Sequence, residues 1–495
     1  MKTFIGADLG TSSLKLLLMD EQGNILNRVS ESYPIFYPHS GWSEQNPKDW
    51  WCAFKKGVKK LVAEFDAKSV CGIGVGGQMH GLVILDDANE VIRPAILWND
   101  GRTFKETEYL NNVIGEEKLK SYTGNIAFAG FTSPKILWLK ENEPENFNKI
   151  SKIMLPKDYV NYKLTGIFST DFSDASGMLL LDVKNKCWSK QMLDICKICE
   201  KQLPQLFESF QSVGTLLPEV AAELGLGENV FVAAGAGDNA AAAVGMNTVS
   251  NNKCNISLGT SGTIFVSTDS FKEFKNNAIH NFCHSNGNYH LMACILSAAS
   301  CNKWFYEDIL KTDDYFAEQR PISDALLGEN TVYFLPYLMG ERSPKNDVDA
   351  SGTFIGIRPD TSRSQMVLSI LEGVAFALKE NFEIFKESGV FIDEVVLCGG
   401  GAKSELWQKI IANVLGVNVV ITQNEEGPAL GGAILSMIAS NKKNNLETVC
   451  NSFHKVKKVV HPQKELTKKY ADRYNKFKIV YPALKETYKK LNEVT

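Results

Sequence analysis

The chain has 495 residues, too many for one ordinary hydrophobic core, so two or three domains are expected. Apolar residues make up 44% and charged residues 22%, with a net charge of -4. That balance argues against extended disorder and gives no electrostatic reason to expect nucleic acid or an anionic membrane as partner. The eleven cysteines are odd in number and scattered, which reads as reduced thiols and not as a disulfide framework. Without a signal-like apolar segment after Met1 or an apolar run of spanning length, the expected location is the cytoplasm.

In chain order, Met1 to Asp8 leads through a strand to Gly10-Thr11-Ser12-Ser13, followed by the apolar run Leu14 to Met19 and then Asp20. This reads as a β-hairpin with a tight Gly/Thr/Ser turn. Val70 to Val75 reads as a buried strand ending in Gly76-Gly77, ahead of Gln78-Met79-His80-Gly81. Cys196 and Cys199 have C-x-x-C spacing without a second pair, and helix packing is the ordinary reading. Phe231 to Ala234 is a strand, Gly235-Ala236-Gly237 a turn, and Asp238 starts an alanine-rich helix.

The first hairpin then recurs. Ser257-Leu258-Gly259-Thr260-Ser261-Gly262 repeats the first turn at a constant offset of 249 residues, which predicts two related halves meeting near residue 250. His280 and His284 share one face of a strand before the turn Ser285 to Asn288, with His290 beyond it, and a metal site is conceivable there. Glu394 to Cys398 reads as a strand, Gly399-Gly400-Gly401-Ala402 as a turn, and a helix follows from about Ser404. The small-residue helices Asn239 to Gly245 and Pro428 to Ala433 suit a close crossing between two mobile domains. Tyr470, Tyr474, Phe477, Tyr481, Leu484, Tyr488 and Leu491 predict an amphipathic helix that Pro482 can interrupt. Strands alternating with helices give an α/β class.

Phosphoryl transfer needs backbone donors around phosphate, a carboxylate for the metal, and a base to orient the attacking hydroxyl. Both Gly/Ser/Thr turns offer the donors, and Asp8 is placed to bind Mg²⁺ directly or through water. A turn alone is ordinary hairpin chemistry; its repetition in two halves favours phosphate. No G-x-x-x-x-G-K-[ST] segment is present, which argues against a P-loop. Asp238 at a strand-to-helix turn also suits a helix cap, a role compatible with chemistry.

Asp8 to Ser13, Ser257 to Gly262 and Gly399 to Ala402 resemble the two phosphate motifs and the adenosine motif of the sugar kinase, actin and heat-shock chaperone superfamily. Within it the chain resembles the FGGY carbohydrate kinases, through Gly130 to Asn142 and through Gly352 to Ile357 followed by Gln365 to Glu372. The loop Gly77 to Gly81 and the segment Pro94 to Arg102 are similar to the branch of that family that phosphorylates D-xylulose.

The resemblance implies two actin-like (ribonuclease H-like) domains with a catalytic cleft between them. Residues 1–248 would hold the sugar and the base, 249–440 the nucleotide, and 441–495 would be a helical extension. It implies ATP as co-substrate, Mg²⁺, D-xylulose as acceptor, and it is compatible with a homodimer. Asp238 would be the general base, with Gln78, Met79, His80, Asp238 and Asn239 at the sugar. Thr11, Ser12, Gly259, Thr260, Gly400, Gly401 and Ser404 would bind ATP, and Asp8 and Asp238 the metal. His80 is expected to donate to and accept from vicinal hydroxyls. The alternatives are a kinase for another ketopentose or polyol, and a non-enzymatic ATP-switched binding protein. The sugar loop and a base aimed at a hydroxyl argue against the latter.

Overall fold

The computed structural model describes residues 1–274, 278–424, 426–441 and 445–493. Its first sheet is built on β1 (Thr3–Leu9), β2 (Ser13–Asp20), β3 (Ile25–Ser32), β4 (Val70–Gly77), β5 (Ser212–Thr215) and β6 (Phe231–Ala233). The order is β5-β6-β4-β1-β2-β3, and Ala236–Gly237 adds a short parallel pairing to the end of β4. β1 runs antiparallel to β2 and parallel to β4. Phe4, Ile5, Ala7 and Leu9 are all buried. A central strand covered on both faces reads as a continuous apolar run, and this one does.

The second sheet repeats the scheme with β7 (Cys254–Leu258), β8 (Gly262–Thr268), β9 (His280–Cys283), β10 (Tyr289–Ile295), β11 (Glu394–Cys398), β12 (Asn418–Thr422) and β13 (Val456–Val460). Its order is β9-β10-β8-β7-β11-β12-β13. β7 is antiparallel to β8 and parallel to β11, as β1 is to β2 and β4. The duplication seen in the turns thus extends to the pairing of the strands around them, although the 249-residue spacing itself holds only through the two hairpins. β13 closes the far edge antiparallel to β12, as β5 does against β6. Its sequence, Val-Lys-Lys-Val-Val, carries the lysines typical of an edge strand and has no strong strand pattern of its own.

Two helices join the halves. Helix α1 (Asp238–Gly245) follows the last strand of the first half, and its Ala242, together with Met246 just beyond it, packs against Val396, Val420 and Cys398 of the second sheet. Helix α2 (Glu405–Leu415) lies within the second half and buries Trp407, Ile410 and Ile411. Helix α3 (Gly427–Ser440) crosses the other way and lies on the first sheet. A Cβ on Gly6 would stand 1.8 Å from the carbonyl oxygen of Ala429, and one on Gly74 would stand 2.1 Å from that of Gly432. α1 and α3 touch backbone to backbone, because a Cβ on Gly431 would meet the Ala241 oxygen at 1.8 Å. The close crossing expected from the two small-residue segments is therefore present: α3 lies on the first sheet, and α1 touches both, with Ala241 beside Gly76 of the first and Ala242 against the second.

At the C-terminal end, α4 (Lys464–Phe477) and α5 (Val480–Asn492) bury Tyr470, Tyr474, Phe477, Tyr481 and Tyr488 in or against the second core. The periodic stripe divides after Phe477, and Pro482 lies in the first turn of the second helix, where its missing N–H matters least. Leu491, expected on the buried stripe, is 75% exposed because the helix has run past its support. Among the described residues no helix is long and apolar enough to cross a membrane.

Candidate active site

The first turn is braced by side chains from several segments. Gly10 N–H donates to the Ser13 carbonyl at 3.1 Å, and the Tyr33 hydroxyl donates to the Gly10 carbonyl. Gln45 Nε2 donates to the Thr11 carbonyl at 2.6 Å, and Trp98 Nε1 to Thr11 Oγ1 at 2.9 Å. Among the described residues no acceptor engages the N–H groups of Thr11 and Ser12. The turn is thus held by its oxygens while two amide donors stay uncommitted, which suits an anion. Gln78 donates through Nε2 to Gln45 Oε1 at 2.9 Å, so its amide braces this turn, and its own Oε1 is buried without a partner.

Asp8 is the last residue but one of β1, and Asp238 begins α1. Burial and then the charge of Asp238 push the Asp8 carboxyl up to about 7, opposed by Lys15. Burial pushes Asp238 up to about 6, opposed by hydrogen bonds from Asn239. Asn239 gives Asp238 Oδ1 both its backbone N–H at 2.7 Å and its Nδ2 at 2.8 Å. The expected substrate residue Asn239 thus spends its amide donor on Asp238, which keeps that carboxylate's other oxygen free. The helix cap is Gly237 and Asp238 is the first helical residue, so the capping role expected for Asp238 is not the one observed. Two half-buried carboxyls, the charge of one raising the proton affinity of the other, form a donor set that fits Mg²⁺. That ion needs only one or two protein carboxylates beside water and phosphate. Among the described residues no group of three or more candidate metal ligands exists.

The sugar loop leaves β4 in a strained turn, with His80 at φ +69°. Lys135 Nζ at 2.8 Å and Thr132 Oγ1 at 3.0 Å both donate to the His80 carbonyl, and Lys135 also donates to the Gly130 carbonyl at 2.8 Å. The segment Gly130 to Asn142 therefore does structural work on the sugar loop, a function its sequence does not disclose. Burial first, and then Asp100 and Arg102 with opposite signs, leave Lys135 at about 7.

The His80 ring stacks on Phe131 with centroids 4.7 Å apart, and its Nδ1 lies 2.8 Å from the Gly177 carbonyl. A carbonyl only accepts, so Nδ1 carries the proton. Burial holds the ring neutral, with its pKa down at about 3, and Nε2 is left as an acceptor. The expected donating and accepting His80 is thus reduced to accepting. Met79 packs below, where a Cβ on Gly237 would meet its Cγ and Sδ at 2.9 Å. Sugar loop and base turn are in direct contact.

In the second half a pocket of about 600 Å³ gathers Thr260, Ser300, Gly400, Gly401 and Ser404. Gly259 braces its rim by accepting from Ala299 N–H at 2.9 Å. Ser404 caps α2 by accepting from Trp407 N–H at 3.1 Å and donates to Gln319 Oε1 at 2.6 Å, so its hydroxyl is engaged. Thr11 and Ser12 do not line this pocket. The expected nucleotide residues fall into two groups, one in each half.

Beneath the base lies a buried charge cluster that the sequence reading missed. Lys157 Nζ stands 2.7 Å from Asp158, 3.1 Å from Asp171 and 3.8 Å from Asp174, and all four side chains have zero exposure. Burial opposes the ammonium, but the three carboxyls outweigh it and hold Lys157 above its usual range. Burial drives Asp174 well above the ordinary carboxylate range, and neither of its oxygens has a hydrogen-bond partner. Charged residues read as surface by default, and nothing local in Lys157-Asp158 or in Asp171 to Asp174 overrides that.

Two other expectations resolve as packing. His284 Nε2 lies 2.9 Å from Ser267 Oγ, His290 stacks on Phe265 at 4.1 Å, and His280 stacks on Phe282 at 5.4 Å. His284 and His290 meet edge to face at 5.7 Å and share Phe265, while Phe282 packs against both His280 and His290, so the three rings belong to one buried aromatic cluster. Cys196 is buried 3.2 Å from Ser133 Oγ while Cys199 is exposed, and all eleven cysteines are free thiols.

Comparison with known proteins bears on this arrangement. The chain is 40% identical over 445 residues to the xylulose kinase of Escherichia coli strain K12, covering 90% of this chain and 91% of that protein. It is 36% identical over 490 residues to the xylulose kinase of Bacillus subtilis strain 168, covering 98% of each. The crystal structure of a xyloylose kinase from Brucella ovis superposes with a TM-score of 0.93 at 38% identity, covering 98% of this chain and 100% of that one. Residues 3–245 match the N-terminal domain and residues 254–440 the C-terminal domain of the FGGY family of carbohydrate kinases, so the chain belongs to that family and is a carbohydrate kinase.

Proposed function

We propose that this kinase transfers the γ-phosphoryl group of ATP to the terminal 5-hydroxyl of D-xylulose, with Asp238 as general base. The observation that carries the reading is the half-buried pair Asp8 and Asp238, whose charges interact, with Gly237 beside the base packed on Met79 of the sugar loop. Similarity to xylulose kinases over nearly the whole chain supports the choice of sugar.

Residues 1–248 would form the sugar and base half and 249–440 the nucleotide half; beyond them β13 joins the second sheet and α4 and α5 pack on its core, while Leu446 and Val449 pack with Phe4 and Met19 of the first half. His80 Nε2 accepts a hydrogen bond from a sugar hydroxyl, while the stacked Phe131 ring fixes its plane. The sugar hydroxyl at the far end donates its proton to the free oxygen of Asp238. As that proton leaves, the oxygen forms its bond to the γ-phosphorus, the bond to the β–γ bridging oxygen breaks, and ADP departs. Amides of the first turn donate to phosphate oxygens, and Thr260, Gly400 and Gly401 line the nucleotide side. Asp8 and Asp238 would hold Mg²⁺, which when bound neutralises charge on the phosphates.

The test is ADP release across a panel of pentuloses and polyols, with Asp238→Asn beside wild type. D-xylulose is expected to give the highest kcat/KM, and the variant to lose at least about 10²–10⁴ in kcat, with sugar affinity less affected. Near-normal turnover in a folded Asp238→Asn protein would reject Asp238 as base. A preference for a polyol would reject the sugar.

A further inference from the structure

We infer that Asp171 is a positioning residue for the phosphoryl-transfer base, acting through Ser173 and Ser209 on the turn that carries Asp238. The inference rests on the reading of Asp238 given above. Asp171 Oδ2 accepts from Ser173 N–H at 2.9 Å, from Ser173 Oγ–H at 2.5 Å and from Ser209 Oγ–H at 2.7 Å. Its Oδ1 faces Lys157 Nζ at 3.1 Å.

Each serine passes the constraint onward. Ser173 Oγ donates its hydrogen bond to Asp171, which leaves its lone pairs free to accept Gly237 N–H at 3.2 Å. The Ser209 carbonyl accepts Gly235 N–H at 3.1 Å. The same short segment is held from the other side. Lys157 Nζ donates to the Ala234 carbonyl at 3.2 Å, and Asn161 Nδ2 donates to Ala234 and Ala233 at 2.9 and 3.3 Å. Backbone groups of Ala233, Ala234, Gly235 and Gly237, immediately before the base, are therefore tied to one buried polar centre.

A stability role explains this poorly. Four ionisable side chains with zero exposure carry desolvation penalties that their mutual attraction need not repay, and apolar replacements of buried ion pairs are often as stable. What the cluster does supply is direction. Asp171 takes three donors on one oxygen and faces a cation with the other. Asparagine in its place would set an amide N–H₂ against the Lys157 ammonium, donor against donor. The free oxygen of Asp238 must meet a hydroxyl within a hydrogen bond's tolerance, and a displacement of about 1 Å can lower a rate by about 10²-fold.

The experiment compares Ser173→Thr with Ser173→Val. Ser173 is fully buried, so both variants add bulk at the same place, and they differ only in the hydroxyl that links Asp171 to Gly237. The Thr variant is expected to exceed the Val variant in kcat by about 10–10²-fold, with KM for sugar and for ATP within about 3-fold of one another. Asp171→Asn should fall with the Val variant. Equal kcat in folded Thr and Val proteins, whatever their melting temperatures, would overturn the inference. Should the Ser173→Val protein not fold, Ser209→Ala serves, because it removes one donor to Asp171 and leaves the Gly235 bond in place. It is expected to lower kcat by about 3–10-fold at unchanged KM, and an unchanged kcat overturns the inference. Asp238→Asn assayed in parallel separates the two claims. If that protein retains turnover, the base assignment falls and takes the inference with it. If it is inert while Thr and Val variants match, only the role of Asp171 falls.

Discussion

At the scale of single residues, three groups near the cleft have proton affinities far from their ordinary values, and each shift has a consequence. Asp238 is pushed up to about 6 and Asp8 to about 7, mainly by burial. A base acts only when deprotonated, so kcat/KM at limiting Mg²⁺ is expected to rise with pH through about 6 to 7 and to fall away below. A divalent cation favours the carboxylates, so raising Mg²⁺ should move this acid limb to lower pH. A flat profile between about pH 5 and pH 8 would contradict both assignments.

The stability consequence has a definite sign. Asp8 binds its proton more tightly when folded, at about 7, than an unfolded aspartate does at about 3.9. Stability is therefore lost as pH rises through that window, and the full penalty stands above about pH 7. Asp8→Asn should raise the melting temperature of the ligand-free protein by about 1–4 °C at about pH 8, with a smaller gain at about pH 5. A larger gain at the lower pH would show that the carboxyl is not strained by its surroundings. At the third group, His80 keeps only Nε2 for the sugar. His80→Ala is expected to weaken sugar use by about 1–3 kcal/mol in kcat/KM while KM for ATP stays the same. Loss of ATP binding instead would misplace the loop.

At the scale of elements, the crossing of α1 and α3 sets a steric limit as tight as the seating of α3 on β1. A Cβ on Gly431 would stand 1.8 Å from the Ala241 oxygen and one on Gly245 would stand 2.2 Å from the Gly427 oxygen. Neither neighbour is a flexible side-chain end, so the helices must part to admit a methyl group. Gly431→Ala is expected to destabilise by about 1–3 kcal/mol, measured by denaturant unfolding. Gly227→Ala, with nothing near its Cβ, is the control and should lie within about 0.5 kcal/mol of wild type. Equal stability of the two variants would mean that the crossing yields freely. These small-residue stretches were legible in sequence as close-packing helices. Which sheet each would rest on was not, because packing against a distant strand leaves no mark on a helix's own periodicity.

At the scale of the whole molecule, the turn beside the sugar loop belongs to the first half and the pocket of about 600 Å³ to the second. Transfer requires the γ-phosphorus to meet a hydroxyl held at Asp238. Closure about the helix crossing is the economical way to assemble that geometry and to keep water out. D-xylulose should therefore reduce the radius of gyration in small-angle scattering, and ATP hydrolysis without sugar should be only a small fraction of the kinase rate. No compaction, together with sugar-independent hydrolysis at the full rate, would show a cleft assembled in advance.

The amino-acid sequence alone determined the duplication, the α/β class and the positions of the turns, because these depend on local spacing. Gly10 and Gly259 lie 249 residues apart, and the sheets around them share one pairing scheme. It also brought Asp8, Asp238, Met79 and His80 forward as candidates. The tertiary structure decided how they are used. Only packing revealed that His80 gives Nδ1 to Gly177, that Asn239 serves Asp238, and that Ser404 is occupied as a cap. The same holds for Lys157 and Asp171, whose importance lies in burial and in partners that include some 38 and 77 residues away along the chain. A side chain's hydrogen-bond capacity is fixed by its chemistry, but what remains of it for a substrate depends on which distant groups the fold has already set against it.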